Sequence, residues 1–215
     1  MSKKRVVVLI SGSGSNLQAI LEAGLAKDFP AEIVGVISNI SGVFGLERAA
    51  KFGIPGQVVS HKAFATREAF DEQLALSIDA FKPNLVVLAG FMRILTPSFV
   101  AHYLGRLINI HPSLLPKYPG LHTHRRALEA GDDQHGATVH FVTPELDGGP
   151  PIIQASVAIY DGDDESTLAA RVLEQEHKIY PLAIKWFCGG NIKLDGNKAI
   201  LNGEPLPESG FVFQD

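Results

Sequence analysis

Asn109 and His111 stand two residues apart in the run Leu107-Ile108-Asn109-Ile110-His111, which stops at Pro112. Side chains two apart on a strand share a face. An amide and an imidazole are therefore expected to project together from the end of a strand. The amide donates hydrogen bonds without titrating, and the imidazole can both donate and carry a proton. The carboxyl end of a strand is where open α/β sheets place their chemistry. The same two residue types also cap backbone groups, and spacing alone does not separate the two roles.

Three other stretches carry groups suited to chemistry. Ser11-Gly12-Ser13-Gly14-Ser15-Asn16 follows the apolar run Val6 to Ile10 and precedes a helical pattern. A strand, a Gly/Ser loop and a helix together present free N–H groups and a helix dipole to an anion. No Gly-Lys-Ser/Thr follows, and a dinucleotide fingerprint would need glycine where Leu17 stands and an acid near Ser38-Asn39. A single phosphate on Gly14, Ser15 and Asn16 fits better than a dinucleotide. The alternative is a plain turn with Ser15 as N-cap. Asp147, in Leu146-Asp147-Gly148-Gly149, offers a carboxylate where the plain reading is an Asp-Gly turn. Arg67 opens a helix, where a cation opposes the dipole and so hints at an anionic partner. The loop Gly90-Phe91-Met92-Arg93-Ile94-Leu95 has the bulk to line a pocket for a flat ring.

The elements that position these groups follow from hydrophobic patterning. Residues 5–10, 32–38, 57–59, 84–89 and 107–111 read as strands, and the continuous apolar runs suit a parallel sheet buried on both faces. Helices are expected over 17–21, 44–52 and 125–129, and after the Thr66 cap with Phe70, Leu74 and Ile78 inward. Residues 137–142 alternate and read as a half-buried strand beside 152–157. A long helix over about 166–187 should place Leu173, Glu176, Tyr180 and Ile184 on one face, so the Glu176 carboxylate needs a partner or a wet edge. Residues 192–206 read as a small hairpin. The fold class is α/β: a doubly wound, mostly parallel sheet flanked by helices.

With 215 residues, the chain has length for one such domain and its core. The expected layout is one domain: a phosphate-binding half (about 1–110), a catalytic half (about 111–190) and a peripheral tail (191–215). A net charge of -4 without a basic stripe argues against a large nucleic-acid surface. The single cysteine, Cys188, rules out an internal disulfide, and no window approaches a membrane span. The protein is read as soluble and cytoplasmic. His122-Thr123-His124 is not read as a metal site, because no paired cysteines or helical His-Glu-x-x-His accompany it.

The segment Asn109-Ile110-His111-Pro112-Ser113-Leu114-Leu115-Pro116 resembles the signature of folate-dependent formyltransferases. The stretches Leu9 to Leu17, Ala89 to Leu95 and Leu146 to Gly149 are similar to the same family, and the likeness runs from about Val6 to Phe187. It implies that Asn109, His111 and Asp147 form the catalytic trio, and that Gly14, Ser15 and Asn16 hold the phosphate of glycinamide ribonucleotide. It places Glu176 near the substrate amine. It assigns Arg67, Met92, Arg93, Ile94, Leu95, Asn109, Thr143, Pro144, Glu145, Leu146 and Asp147 to the folate. A cis peptide before Pro116 is also implied. The expected reaction passes the formyl group of 10-formyltetrahydrofolate to the ribonucleotide amine without metal or covalent intermediate, Asp147 holding and charging His111. The nearest rival is a 10-formyltetrahydrofolate hydrolase, with water as acceptor. A methionyl-tRNA formyltransferase would need a further carboxyl-terminal domain and a basic surface. A non-catalytic binding module is disfavoured by the three polar residues together. Expected partners are small molecules, with no nucleic acid and no membrane; monomer and homodimer both stay open.

Overall fold

The computed structural model describes residues 2–214. The chain forms two compact units, the first ending at Ile108 and the second beginning at Asn109.

The first unit is built on parallel strands β1 (Lys4–Ile10), β2 (Ala31–Ser38), β3 (Gly56–Val58) and β4 (Leu85–Leu88), in the order β3-β2-β1-β4. Val6 to Ile10 are wholly buried, as a run apolar on both faces requires. Helices α1 (Ser15–Ala23), α2 (Phe44–Lys51), α3 (Arg67–Asp79) and α4 (Pro97–His102) connect or follow these strands. Thr66 caps α3 by accepting from the Ala69 N–H at 3.1 Å, and Phe70, Leu74 and Ile78 are buried. Thr96 caps α4 in the same way, with Pro97 where its missing N–H costs nothing. The cap of α1 is not Ser15, as the alternative reading of this loop had it. It is Gly14, left-handed at φ 72°, and Ser15 is already helical. The third strand starts one residue earlier than expected, with Gly56 paired to Val36.

Strand β5 (Leu107–His111) runs across the division between the units. The second unit continues with α5 (Thr123–Ala130), β6 (Gln134–Phe141), β7 (Pro151–Ala158) and α6 (Glu165–Cys188). β6 lies beside β5 and pairs antiparallel with β7, and α6 packs on β6 and β7. β6 is not half-buried: His135 through Phe141 are all buried, because the strand has neighbours on both edges and a helix against it. On α6 Leu168, Val172, Glu176, Ile179, Tyr180, Ala183 and Ile184 are buried; of the four residues expected on one inward face only Leu173 departs, being half-buried. The tail is a three-stranded antiparallel sheet of β8 (Ile192–Asp195), β9 (Lys198–Leu201) and β10 (Glu204–Pro205). Beyond it β11 (Phe211–Phe213) joins the edge of β7 in parallel, a strand too short to show in the sequence pattern.

Candidate active site

In the second unit, β5 carries Asn109 and His111 with Ile110 buried between them in sequence. His111 is 6% exposed. Its Nε2–H donates to the Tyr118 carbonyl at 2.8 Å, and its Nδ1 lies 3.5 Å from Asp147 Oδ2. The same carboxylate oxygen accepts the Gly120 N–H at 2.8 Å. The loop after β5 therefore holds the far side of the imidazole and the near side of the carboxylate. Tyr118 reaches this position with φ 56°. Its ring is held by a hydroxyl bond to Asp132 at 2.7 Å and by the Arg126 guanidinium 5.1 Å over its face. Below the loop a buried network fixes the turn. Thr138 Oγ1 donates to the Ser113 carbonyl and accepts from Leu115 N–H and Gln154, which also donates to the Leu115 carbonyl. The Leu115–Pro116 peptide is cis.

Asp147 itself sits at φ 50°, a left-handed conformation that Asp tolerates better than most residues. The glycines after it are there for space. A Cβ on Gly148 would come within 2.5 Å of Glu145, and one on Gly149 within 1.8 Å of the Phe141 carbonyl oxygen.

His140 belongs to this cluster although the residue pattern alone did not single it out. Its Nδ1 is 2.9 Å from the Phe141 carbonyl oxygen, a contact only an Nδ1–H can make. Burial holds its pKa well below the ordinary imidazole value, against the pull of Asp147. A neutral ring with its proton on Nδ1 leaves Nε2 as an acceptor, and Asn109 Nδ2–H donates to it at 3.3 Å. His140 thereby decides which way the Asn109 amide faces. One Asn109 N–H is engaged, and its second N–H and its Oδ1 remain for a ligand.

Two further histidines flank the loop. His135 Nε2 and His124 Nδ1 are 3.2 Å apart. Burial pushes His135 down to about 4, with His124 beside it lowering it further, and burial also lowers His124. Their unfolded counterparts protonate near 6.5. The unfolded chain thus binds more protons over that interval, so the stability these rings contribute is complete above about pH 6.5 and lost as pH falls toward 4. Thermal unfolding should show Tm falling across that window, with a shallower slope in His135→Gln. Equal slopes in the two proteins would contradict the assignment.

In the first unit, the loop before α1 lines a cavity of about 210 Å³ with Ser11 through Asn16, Ala89, Gly90 and Met92. With Gly14 as N-cap and no side-chain cap, the first N–H groups of α1 face outward, where an anion is favoured. Gly14 is required twice over: by its φ of 72° and because a Cβ would lie 2.8 Å from Gly45 Cα. Arg48 braces the loop from behind, Nε donating to the Ser13 carbonyl at 2.8 Å and Nη1 to Gln18 at 3.0 Å. Its guanidinium lies 4.6 Å over the Phe44 ring. A cross-chain brace of this kind has no local sequence signal.

Gly14, Ser15, Asn16 and Met92 thus share one cavity, which Arg67, Arg93, Ile94 and Leu95 do not line. Arg67 is exposed at the start of α3, and its side chain makes no hydrogen bond or ion pair among the described residues. Met92 and Ile94 are exposed, whereas Arg93 and Leu95 are half-buried, with Arg93 Nε unpartnered. Thr143 to Leu146 form a partly to fully exposed approach to Asp147, and Glu176 is buried on α6. Among the described residues no group of three or more His, Cys, Asp or Glu side chains could hold a metal ion, and no helix is long and apolar enough to cross a membrane.

An amide and an imidazole at the end of a sheet strand, with the carboxylate of a neighbouring turn against the imidazole, are groups suited to acyl transfer. The chain belongs to the formyl transferase family, which it matches over residues 4–184. It is 57% identical over 210 residues to the phosphoribosylglycinamide formyltransferase of Escherichia coli strain K12, covering 98% of this chain and 99% of that one. The Haemophilus influenzae phosphoribosylglycinamide formyltransferase is 48% identical over 97% of this chain and 99% of its own. The solved structure of the Coxiella burnetii phosphoribosylglycinamide formyltransferase matches with TM-score 0.95 and 49% identity, over 99% of this chain and 100% of that one. The fold is accordingly a mostly parallel central sheet flanked by helices.

Proposed function

We propose that this protein transfers the formyl group of 10-formyltetrahydrofolate to the amine of glycinamide ribonucleotide, a step of purine biosynthesis. The observation that carries the reading is the strand-end pair of Asn109 and His111, with Asp147 Oδ2 3.5 Å from His111 Nδ1. The amine lone pair attacks the formyl carbon, the carbonyl oxygen takes up negative charge, and the bond from that carbon to N10 then breaks. The amine gives up a proton and N10 gains one. The second Asn109 N–H is aimed at the oxyanion by the His140 bond. His111 moves the proton. Its Nε2–H is closed off by Tyr118, whereas Nδ1 faces Asp147 at a distance longer than a strong hydrogen bond, so the Nδ1 proton is the one offered to the intermediate. Asp147 balances the charge on the ring as it does so. The amine is itself the nucleophile, and no enzyme group forms a bond to the formyl carbon.

In the first unit, Gly14, Ser15 and Asn16 are assigned the ribonucleotide phosphate, and Arg67 with Met92, Arg93, Ile94 and Leu95 the folate. In the second, Thr143, Pro144, Glu145, Leu146, Asp147 and Asn109 are assigned folate contacts, and Glu176 the amine. Support comes from the outward N–H groups of α1, the exposed Arg67 and the apolar exposure of Met92, Ile94 and Leu146. Hydrolysis of the same folate is not favoured, since the relatives that match end to end carry transferase names. The test is to follow loss of formyl from a 10-formyl folate with and without glycinamide ribonucleotide. Loss only with the amine present is expected, and equal loss without it would make the protein a hydrolase.

Substitution of His140 tests its role in orienting Asn109. His140→Leu removes the acceptor that orients Asn109, and kcat should fall roughly tenfold while KM for the ribonucleotide stays within about twofold. A fall in Tm with unchanged kcat would show that His140 serves the fold alone.

A further inference from the structure

Ser11 stands just past the end of β1, 8% exposed, on the wall of the first unit's cavity. The pairing of β1 with β4 ends at Leu9 and Leu88, and two backbone bonds prolong it: Ala89 N–H to Leu9 O, and Ser11 N–H to Gly90 O at 3.1 Å. The Ser11 side chain then adds a third connection where the backbone can no longer do so. Its Oγ accepts the Met92 N–H at 2.8 Å. Its hydroxyl proton goes to Asn39 Oδ1 at 2.5 Å. Asn39, 2% exposed at the end of β2, donates from Nδ2 to His61 Nδ1 at 3.1 Å. The hydroxyl is therefore fixed at its donor end by a buried amide and presents a lone pair to one particular backbone N–H.

The two sides it joins are the two walls of the cavity. One is the Ser11–Asn16 loop, which ends in the uncapped start of α1. The other is Ala89, Gly90 and Met92. Gly90, at φ 73° with open space where a Cβ would be, gives its wall no steric anchor of its own. Without the hydroxyl, the chain leading to Met92 keeps the backbone bonds Ala89 N–H to Leu9 O and Ser11 N–H to Gly90 O, both placed before Met92 itself.

We propose that Ser11 is a positioning residue for the formyl-transfer reaction, its hydroxyl setting the spacing between the phosphate loop and the Met92 wall. The proposal rests on the assignment of that loop to the ribonucleotide phosphate. Spacing of this kind acts on binding in the ground and transition states alike, so its loss raises KM and spares kcat.

The test is steady-state kinetics on full-length Ser11→Ala and Ser11→Cys, with thermal unfolding alongside. The alanine variant should raise KM for glycinamide ribonucleotide about tenfold and change kcat by less than about twofold. The inhibition constant of inorganic phosphate, a probe that needs no formyl chemistry, should rise in parallel. Ser11→Cys keeps the side-chain shape while weakening both bonds, and answers the question should the alanine variant not fold; an increase of roughly threefold in KM is expected. A normal KM in either folded variant, or a fall in Tm with both constants unchanged, would overturn the proposal and leave Ser11 a structural link. Failure of the unaltered protein to formylate glycinamide ribonucleotide would instead refute the proposed function, whatever the variants do.

Discussion

His111→Ala is expected to fold, to retain affinity for inorganic phosphate and to lose turnover by roughly 10²–10³. The ring is placed to move a proton while facing a carboxylate, with Nδ1 toward Asp147 and Nε2 held by Tyr118. Its removal leaves the Tyr118 carbonyl and Asp147 Oδ2 without it, yet Asp147 still accepts from Gly120 and Tyr118 is still held through Asp132. The loop should therefore persist, and the loss should fall on kcat more than on Tm. Steady-state rates with a thermal melt decide the matter. Near-normal turnover would sink the role given to His111.

Gly149→Ala should have the largest structural effect of any single methyl group in the site. The added Cβ would lie 1.8 Å from the Phe141 carbonyl oxygen and 2.8 Å from its carbon, with Thr143 Cγ2 at 3.3 Å. That backbone cannot yield alone. Phe141 N–H bonds to the Pro150 carbonyl, and the Phe141 carbonyl is the acceptor that sets the His140 tautomer. Displacing it disturbs His140 and through it Asn109, while the turn that carries Asp147 moves as well. A loss of more than about 3 kcal/mol is expected in urea unfolding, together with a fall in kcat larger than that of His140→Leu. An unfolding midpoint equal to that of the unaltered protein would refute the steric argument.

What could be read from the residues, and what could not, divides along physical lines. Continuous apolar runs betrayed β1, β2 and β4 because a strand buried on both faces has no other composition. Asn109 and His111 were legible because strand periodicity puts them on one face and Pro112 ends the pairing. The Thr66 cap with Phe70, Leu74 and Ile78 was a local signal. His140 was not legible as a partner of Asn109. Its role depends on a tautomer set by a neighbouring carbonyl and on burial that β6 acquires only from its neighbours. The same burial is why the alternating 137–142 pattern misled. Ser15 looked like the cap of α1, but the close approach of Gly45 requires Gly14 to make the turn. The Arg48 brace and the Ser11–Asn39–His61 chain join residues far apart in sequence, and no spacing rule reports them.

The reaction proposed for this protein is direct transfer from folate to amine at Asn109, His111 and Asp147. Rapid quenching followed by intact-mass analysis tests it. The protein is mixed with a 10-formyl folate labelled in the formyl group, first alone and then with glycinamide ribonucleotide. The protein should stay unmodified in both mixtures, and with the amine present one labelled formyl group should appear on the ribonucleotide for each folate consumed. A formyl adduct on the protein, or labelled formate in place of formylated amine, would contradict the account.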